Sequence, residues 1–161
     1  MSEEIVFDAN GSRDSVYREI LPQIEALLAG SDDAIANFAH VAAVLNQVFG
    51  FFWVGFYRVT APNVLTAGPY QGDLACTRIS FDQGVCGAAA RTRETIIVPD
   101  VDKFPGHIAC SSLSRSEIVV PFVKDGETRF VLDIDSDKLA DFDRVDQLHL
   151  ERLVAMIGNA A

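Results

Sequence analysis

Residues 117–135 read EIVVPFVKDGETRFVLDID, two apolar runs separated by a short polar turn. The runs Glu117–Val123 and Thr128–Ile134, joined by Lys124-Asp125-Gly126-Glu127, are typical of a β-hairpin, because β-branched residues favour strands and Asp-Gly favours the turn. Strands joined by so short a connection pair in the antiparallel direction. The stretch therefore predicts an antiparallel strand pair, and with it a mainly antiparallel sheet.

The segments on both sides of the hairpin supply helices and further strands. Ser12 is a predicted N-cap, and apolar residues follow it at helical spacing as far as Gly30, with Pro22 expected to kink the helix or split it in two. Ser31 is expected to cap a second helix, and Phe142 to open the last one. The inner face of the second helix is expected to consist of Ile35, Phe38, Ala42, Leu45 and Val48. Further strands are predicted at 51–59, 64–67, 76–81 and 95–98, with a short helix at 84–91. This order predicts an α+β fold in which helices flank a mainly antiparallel central β-sheet.

Length and composition limit what the chain can be. Its 161 residues are expected to form one domain, 1–161, with a loose N-terminal segment at 1–11. The net charge of −10 argues against nucleic acid and against an anionic membrane surface as partners, since both need clustered Lys and Arg. Neither a signal peptide nor an apolar run of about 18 residues is recognised, so a cytoplasmic location is expected.

Three cysteines are an odd number for a structural disulfide framework. In a reducing compartment they would be thiols at rest, so any disulfide should be transient and redox-linked. Cys86, in GVCG at the start of a short helix, has the local environment that favours a lowered pKa. For each cysteine taken alone, burial as an inert side chain is the usual outcome.

The loop at 99–116 is unusually long for a compact domain, which is typical of a functional segment. It carries His107 and Cys110 among small hydroxylated residues. His107 could act as a base or as half of a metal site. One His and one Cys are too few ligands for zinc, and the other cysteines lack paired spacing, so no metal is expected.

Three acidic residues are predicted to meet at one end of the hairpin. Asp133 and Asp135 alternate onto one face of their strand, and the hairpin register can bring Glu117 beside them. Carboxylates so close repel each other, so at least one should hold a proton near neutral pH. The alternative is that Asp133 and Asp135 are solvated or cap the strand end, and the LDID segment taken alone favours it.

Trp53, Gly55 and Tyr57 share one face of the first predicted strand. A glycine between two large aromatic side chains leaves room for another group to approach the backbone. One interpretation is a pocket wall. Ordinary aromatic core is the other, and the sequence pattern alone favours it.

Three motifs, in order along the chain, carry a resemblance to a known family: NVLTAGPYQGDLACTRISFDQGVCGAAA (63–90), VDKFPGHIACSSLSRSEIVVP (101–121) and VLDID (131–135). They resemble the free methionine-(R)-sulfoxide reductases, which are small single-domain proteins of the GAF fold. FFWVGFY (51–57) is similar to the aromatic strand of that family. The resemblance covers most of the chain from Trp53 to Phe142 and implies a single GAF domain.

The resemblance implies a role for each candidate residue. Cys110 would be the nucleophile, Cys76 the resolving cysteine and Cys86 a secondary cysteine. The catalytic set would be Cys110, Cys76, Glu117, Asp133 and Asp135, and the substrate-binding set Trp53, Tyr57 and the same three acids. The implied reaction is reduction of free L-methionine (R)-S-oxide through a cysteine sulfenic acid and an intramolecular disulfide, with no bound cofactor. Thioredoxin would be the external dithiol partner, and the family tends to form homodimers.

Two features depart from the family pattern. Arg129-Phe130 precedes VLDID, where a small residue is common, and alternation should turn Phe130 away from Asp133. Ser111-Ser112 replaces a more typical acidic-small pair after the nucleophile. Two other functions stay open. One is a non-enzymatic GAF sensor, which would be expected to carry an output domain for which this chain has no room, and the other is a thiol peroxidase.

Overall fold

The predicted hairpin forms two neighbouring strands of a six-stranded sheet. A computed structural model describes residues 4–108 and 110–160. The strands are β1 (Trp53–Ala61), β2 (Val64–Gln71), β3 (Arg78–Ser80), β4 (Ile96–Val98), β5 (Ser116–Lys124) and β6 (Glu127–Ser136). The helices are α1 (Arg13–Ala29), α2 (Ala34–Phe49), α3 (Gly84–Thr92) and α4 (Arg144–Ala160), with a short 3-10 helix at Val101–Lys103. The strand order is β3-β2-β1-β6-β5-β4 and every neighbouring pair is antiparallel, which confirms the α+β prediction.

The turn between β5 and β6 has the chemistry that the sequence indicates. Asp125 and Gly126 have φ angles of 55° and 75°, both in the left-handed region. Two consecutive residues of this kind give the turn a twist that matches the twist of the flanking strands. Lys124 therefore pairs with Glu127 across the turn. The register shifts by one residue between Phe122 and Val123, and beyond this bulge Glu117 lies opposite Asp135.

Helix α1 begins and ends where the sequence predicts. The Ser12 hydroxyl accepts a hydrogen bond from the Ser15 N–H at 3.1 Å, and Gly30 is the C-cap. Pro22 lies inside the helix, which continues through it as one element, so the expected split does not occur. The N-terminal segment, expected to be loose, lies against this helix from residue 4 onward. The Val6 N–H donates to Gln23 Oε1 at 2.9 Å, and residues 1–3 lie outside the described residues.

Helix α2 begins two residues later than predicted. Asp33 is its N-cap, because the Asp33 carboxylate accepts the N–H of Ala36 at 2.9 Å, and the Ser31 hydroxyl instead accepts the N–H of Asp33. The Ser31 cap was therefore wrong, as was the placement of Ile35 on the inner face, since that side chain is exposed. The rest of the predicted face is buried or half-buried: Phe38, Ala42, Leu45 and Val48.

Strand β2 is longer than predicted, and β3 is shorter. The strand expected at 64–67 runs on to Gln71 through Gly68-Pro69, where the pairing with β1 shifts register. A bulge of this kind accommodates a proline, which has no N–H to contribute to the ladder. The strand expected at 76–81 contains only Arg78–Ser80, so Cys76 lies in the loop before it.

The sheet has a different layer on each face. Helices α1, α2 and α4 cover one face and form the larger apolar core, to which β1 contributes Val54 and Phe56. Phe130 packs into this core against Phe38, turned away from Asp133 as alternation predicts. Helix α3 covers part of the other face with a smaller core. The helices of the described residues include none with the length and apolarity needed to cross a membrane.

A polar network joins the helical layer to the end of β6. The Arg13 guanidinium donates to the Asp141 carboxylate at 2.9 Å and also contacts the fully buried Asp146. The Ser136 hydroxyl donates to the other oxygen of Asp141 at 2.6 Å. Ser136 is the last residue of β6, so these bonds hold the strand end that carries Asp135.

Candidate active site

A pocket that is open to solvent on one side lies on the face of the sheet that carries α3. Its walls come from β1, β5 and β6, from the start of α3, and from the loops at 73–75 and 107–114. Seven of the eight candidate residues line it: Trp53, Tyr57, Cys86, Cys110, Glu117, Asp133 and Asp135. The eighth, Cys76, is bonded to Cys110. The structure therefore brings the whole predicted set together.

Cys76 and Cys110 form a disulfide between two loops. They are 34 residues apart in the chain, and their Cα atoms are 5.7 Å apart. Cys110 is exposed, whereas Cys76 is half-buried and its carbonyl accepts a hydrogen bond from the Tyr57 hydroxyl at 3.1 Å. The bond therefore lies at the surface, beside the pocket, where an external thiol can reach it.

The three acids come from adjacent strands, as the alternation argument predicts. Glu117 in β5 is directly opposite Asp135 in β6, and Asp133 faces the same side two residues earlier. Glu117 and Asp133 are buried, whereas Asp135 is partly exposed toward the pocket opening. The Ser114 hydroxyl donates to Asp135 Oδ1 at 2.8 Å. The alternative of a solvated strand end is therefore wrong.

Burial of three neighbouring carboxyl groups favours their protonated forms. The pKa of Glu117 is raised well above its ordinary value, first by burial and then by repulsion from Asp133 and Asp135. Burial also raises the pKa of Asp135 well above normal, and repulsion from Asp133 adds to the effect. The pKa of Asp133 is raised by burial, although hydrogen bonds to Glu117 and Cys86 oppose the rise. The three residues together can therefore hold protons near neutral pH.

The predicted low pKa of Cys86 is wrong. Cys86 lies in the first turn of α3, as expected, but that helix is packed against the sheet and the thiol is buried. Burial raises the pKa of Cys86 well above its ordinary value, and the charges of Asp133 and Glu117 raise it further. Desolvation and like charge outweigh the helix dipole here. Cys86 is a neutral thiol at the back of the pocket.

Aromatic side chains form one wall of the pocket. Trp53 stacks on Tyr57 and on Tyr70, with ring centroids 5.9 Å and 5.2 Å apart. A Cβ atom at Gly55 would lie 2.3 Å from the Cβ of Tyr70, so the glycine admits the ring of the neighbouring strand. The Trp53 indole N–H donates to the Asp73 carbonyl at 3.1 Å, which fixes the ring orientation. Trp53 and Tyr57 line the pocket and are also buried members of the smaller core, so this strand fits both predicted interpretations.

One group of side chains has spacing that could suit a metal ion. The ligand atoms of Cys86, Glu117 and Asp133 all lie within 4.8 Å of one another. All three groups would have to lose their protons in order to bind a metal. The pKa of each group is raised in this site, which disfavours that loss. The spacing therefore does not by itself indicate an ion.

Sequence reasoning missed three contacts that shape the site. The Ser114 bond to Asp135, the Asp73 bond to Trp53 and the stacking of Tyr70 on Trp53 all join residues from different loops or strands. No spacing in the sequence reports them. Only Gly55 gave a signal, since a glycine between aromatic residues indicates close approach by another group.

Chemically, the site combines a redox-active thiol pair with proton-holding acids and an apolar wall. Neutral carboxylic acids can donate protons to an oxygen, and the same groups attract a cation when one of them ionises. Among the pocket-lining residues that the structure describes, the only basic side chain is His107. The pocket therefore suits a small ligand with a cationic group, an oxygen that accepts a proton and an apolar end.

Comparison with known proteins gives consistent results. A sequence model of the GAF domain family matches residues 14–160. The chain is 52% identical to GAF domain-containing protein A of Dictyostelium discoideum, over 99% of this chain and 100% of that protein. It is 37% identical to free methionine-R-sulfoxide reductase of Saccharomyces cerevisiae, over 99% of this chain and 93% of that protein. The X-ray structure of free methionine-R-sulfoxide reductase from Neisseria meningitidis in complex with its substrate matches with a TM-score of 0.95 at 50% identity, covering 98% of this chain and 94% of that one.

Proposed function

Because this chain is a single-domain GAF oxidoreductase of the free methionine-R-sulfoxide reductase family, we propose that it reduces free L-methionine (R)-S-oxide to L-methionine. The observation that carries the proposal is a surface disulfide between Cys76 and Cys110 beside three buried acids in one pocket. In its reduced, dithiol form this cysteine pair supplies two electrons and becomes the disulfide, and the acids supply protons. A sulfoxide needs both in order to lose its oxygen.

The acids also account for a free amino acid as the substrate. Glu117, Asp133 and Asp135 are crowded and buried, so an ammonium group that enters the pocket would allow one of them to ionise and would bind it by charge. A methionine sulfoxide inside a peptide has no ammonium group at that position. The aromatic ring of Trp53 provides an apolar surface for the S-methyl group.

In the first step Cys110 acts as the nucleophile. Its sulfur attacks the sulfoxide sulfur, the S–O bond breaks, and the oxygen is transferred to Cys110. The products are methionine and a Cys110 sulfenic acid, so two electrons pass from the Cys110 sulfur to the substrate sulfur. One of the neutral acids protonates the departing oxygen, and the thiol proton of Cys110 is released, so the protons balance.

In the second step Cys76 is the resolving cysteine. Its thiol attacks the sulfur of the Cys110 sulfenic acid, an S–S bond forms, and the hydroxyl leaves as water with the thiol proton. Thioredoxin then reduces the disulfide by thiol–disulfide exchange and becomes a disulfide itself. Leu74 and Leu113 support a protein reductant, because they are 88% and 59% exposed in the two loops that carry the disulfide. The oligomeric state and the cytoplasmic location stay predictions.

The test is an NADPH-coupled thioredoxin assay with four oxidants offered separately. We expect turnover with free methionine R-sulfoxide and little or none with free S-sulfoxide, sulfoxide within a peptide, or hydrogen peroxide. Turnover with peroxide alone would identify a thiol peroxidase instead. Binding of a ligand with no turnover of any oxidant would identify a sensor. Equal rates with free and peptide sulfoxide would contradict the role given to the ammonium group.

A further inference from the structure

His107 is a pocket-lining residue with an ionisable side chain that the proposed reaction does not yet use. It lies in the same loop as Cys110, and its backbone N–H donates to the Phe104 carbonyl at 3.2 Å. The carbonyl of the preceding Gly106 accepts the N–H of Gly84 at 3.2 Å, which ties this part of the loop to the start of α3. These two backbone bonds fix the main chain at His107 beside the start of α3.

The imidazole lies between solvent and the buried acids. Its side chain is 15% exposed, and its Nε2 atom is 3.8 Å from Oε2 of Glu117. That distance is longer than a hydrogen bond, but a small movement of the loop or one bridging water would connect the two atoms. Glu117 in turn lies beside Asp133, with a carboxylate oxygen of each within 4.8 Å of the other.

The reaction creates a need for a proton path to these acids. Each turnover takes one proton from a buried carboxylic acid to the sulfoxide oxygen. The balancing proton leaves the Cys110 thiol on the exposed side of the pocket. When Glu117 or Asp133 is the donor, its burial leaves it little contact with bulk water, so a group that reaches both solvent and the acid would speed the return of the proton.

We propose that His107 relays this proton from solvent to Glu117. The Nε2–H group donates its proton to the Glu117 carboxylate, and Nδ1 takes a proton from water. The resulting tautomer returns to the first form by proton exchange with solvent, so no net charge stays on the ring. His107 acts through Glu117 and does not touch the substrate. The proposal rests on the sulfoxide reductase function proposed above.

The charges around the ring suit this role. Burial lowers the pKa of His107, while the nearby carboxylate of Asp102 in the 3-10 helix opposes the change. Glu117 faces the ring from β5. A neutral imidazole has one nitrogen that donates and one that accepts, which is what a relay needs.

The test uses multiple-turnover methionine formation with excess free methionine R-sulfoxide and saturating dithiothreitol, because the relay acts in the step between turnovers that returns the proton to the acid. We expect His107→Gln to slow this step by about 10- to 100-fold, less than the loss of a directly acting acid. Substrate affinity, measured by equilibrium binding, should change by less than about twofold because the relay does not contact substrate. His40→Gln, at an exposed position in α2, is the matched control and should keep the wild-type rate.

Chemical rescue distinguishes a relay from a structural role. In His107→Ala, added imidazole should restore most of the rate, whereas 1,3-dimethylimidazolium, which cannot carry a proton, should not. A wild-type rate in His107→Gln, or a slow His107→Ala that imidazole does not rescue, would overturn the proposal. The two proposals fail differently: if wild-type protein forms no methionine, the function is wrong, whereas wild-type turnover with unaffected His107 variants removes only the relay.

Discussion

The two faces of the central sheet differ in the kind of side chain that they bury. In β6, Leu132 and Ile134 are 0% exposed and pack under the helices, while Asp133, between them, is 6% exposed and faces the pocket. The same strand therefore buries apolar and acidic side chains almost equally. Burying an aliphatic side chain stabilises a fold by about 1.5–3 kcal/mol, whereas burying an acid forces it to stay protonated or costs free energy. The helical face stabilises the domain, and the pocket face uses some of that stability to hold reactive groups.

The largest expected effect comes from removing the thiols of the pocket face. Cys110→Ser should abolish turnover, because Cys86, the other thiol that lines the pocket, is buried and its raised pKa disfavours the reactive thiolate. Cys76→Ser should release about one methionine per chain and then stop with thioredoxin, because the sulfenic acid cannot be resolved. Methionine released per chain, measured by mass spectrometry, checks both expectations. Cys86→Ser is the control and should keep most of the activity, and the reverse pattern would move the nucleophile to Cys86.

The second prediction concerns the acids of the pocket face. Glu117→Gln and Asp135→Asn should each reduce kcat/KM by about 10²–10⁴, because an amide keeps the shape but can neither deliver a carboxyl proton nor bind an ammonium group by charge. Asp133→Asn should lose a similar amount or less. Steady-state kinetics on free sulfoxide, with circular dichroism to confirm folding, provide the measurement. Wild-type rates in all three variants would leave the sulfoxide oxygen without a proton donor and contradict the mechanism.

The contrast between the faces also explains how far sequence reasoning could go. Alternation within β6 and the Asp-Gly turn predicted that Asp133 and Asp135 share a face with Glu117 nearby, since both signals are local. The pairing of Cys76 with Cys110 was an implication of the family resemblance alone. Periodicity cannot report which of two loops 34 residues apart will meet, because the answer depends on the order of all six strands.

The errors have a common physical cause. The helix start at Cys86 was recognised, but local sequence does not reveal that α3 lies against the sheet, so desolvation of the thiol was missed. Ile35 fits helical spacing, but in the first turn of α2 it is Ala34 that packs against the core, and Ile35 is exposed. In each case a tertiary contact, or its absence, decided the environment of a correctly placed local element. His107 was noticed in the sequence, but its distance from Glu117 needed the structure.

The third prediction compares the pH dependence of stability on the two faces. The pKa of Glu117 is raised in the folded state, so between its unfolded value, near pH 4.3, and its folded value the native protein binds more protons than the unfolded chain. The free energy of unfolding of substrate-free protein should therefore fall as pH rises through this window. Glu117→Gln has no such proton, so its stability relative to wild type should increase with pH, by up to about 1.4 kcal/mol per pH unit.

Ile134→Ala provides the matched change on the helical face. It should lower the free energy of unfolding by about 2–5 kcal/mol, because it leaves a cavity in the apolar core, and the loss should not vary with pH. Urea unfolding of both variants and wild type between pH 4 and 8, with the disulfide intact, gives the comparison. A Glu117→Gln difference that is flat across this range would show that Glu117 is ionised in the folded protein.

The smallest expected effect is on the KM for thioredoxin, and it should differ between two exposed leucines that lie on opposite sides of the sheet. Leu113 is 59% exposed three residues after Cys110, and Leu148 is 56% exposed on α4, so the two differ in location far more than in accessibility. If a protein dithiol docks around the disulfide, Leu113→Ser should raise KM for thioredoxin about 3- to 10-fold, a loss of about 1 kcal/mol that is typical of one apolar contact at an interface. The rate with dithiothreitol, which needs no docking surface, should not change. Leu148→Ser should leave both rates at the wild-type level.

Two outcomes would contradict this prediction. Equal KM values for thioredoxin in wild type, Leu113→Ser and Leu148→Ser would mean that the reductant approaches the disulfide from another direction. A fall in the dithiothreitol rate of Leu113→Ser would indicate a disturbed loop.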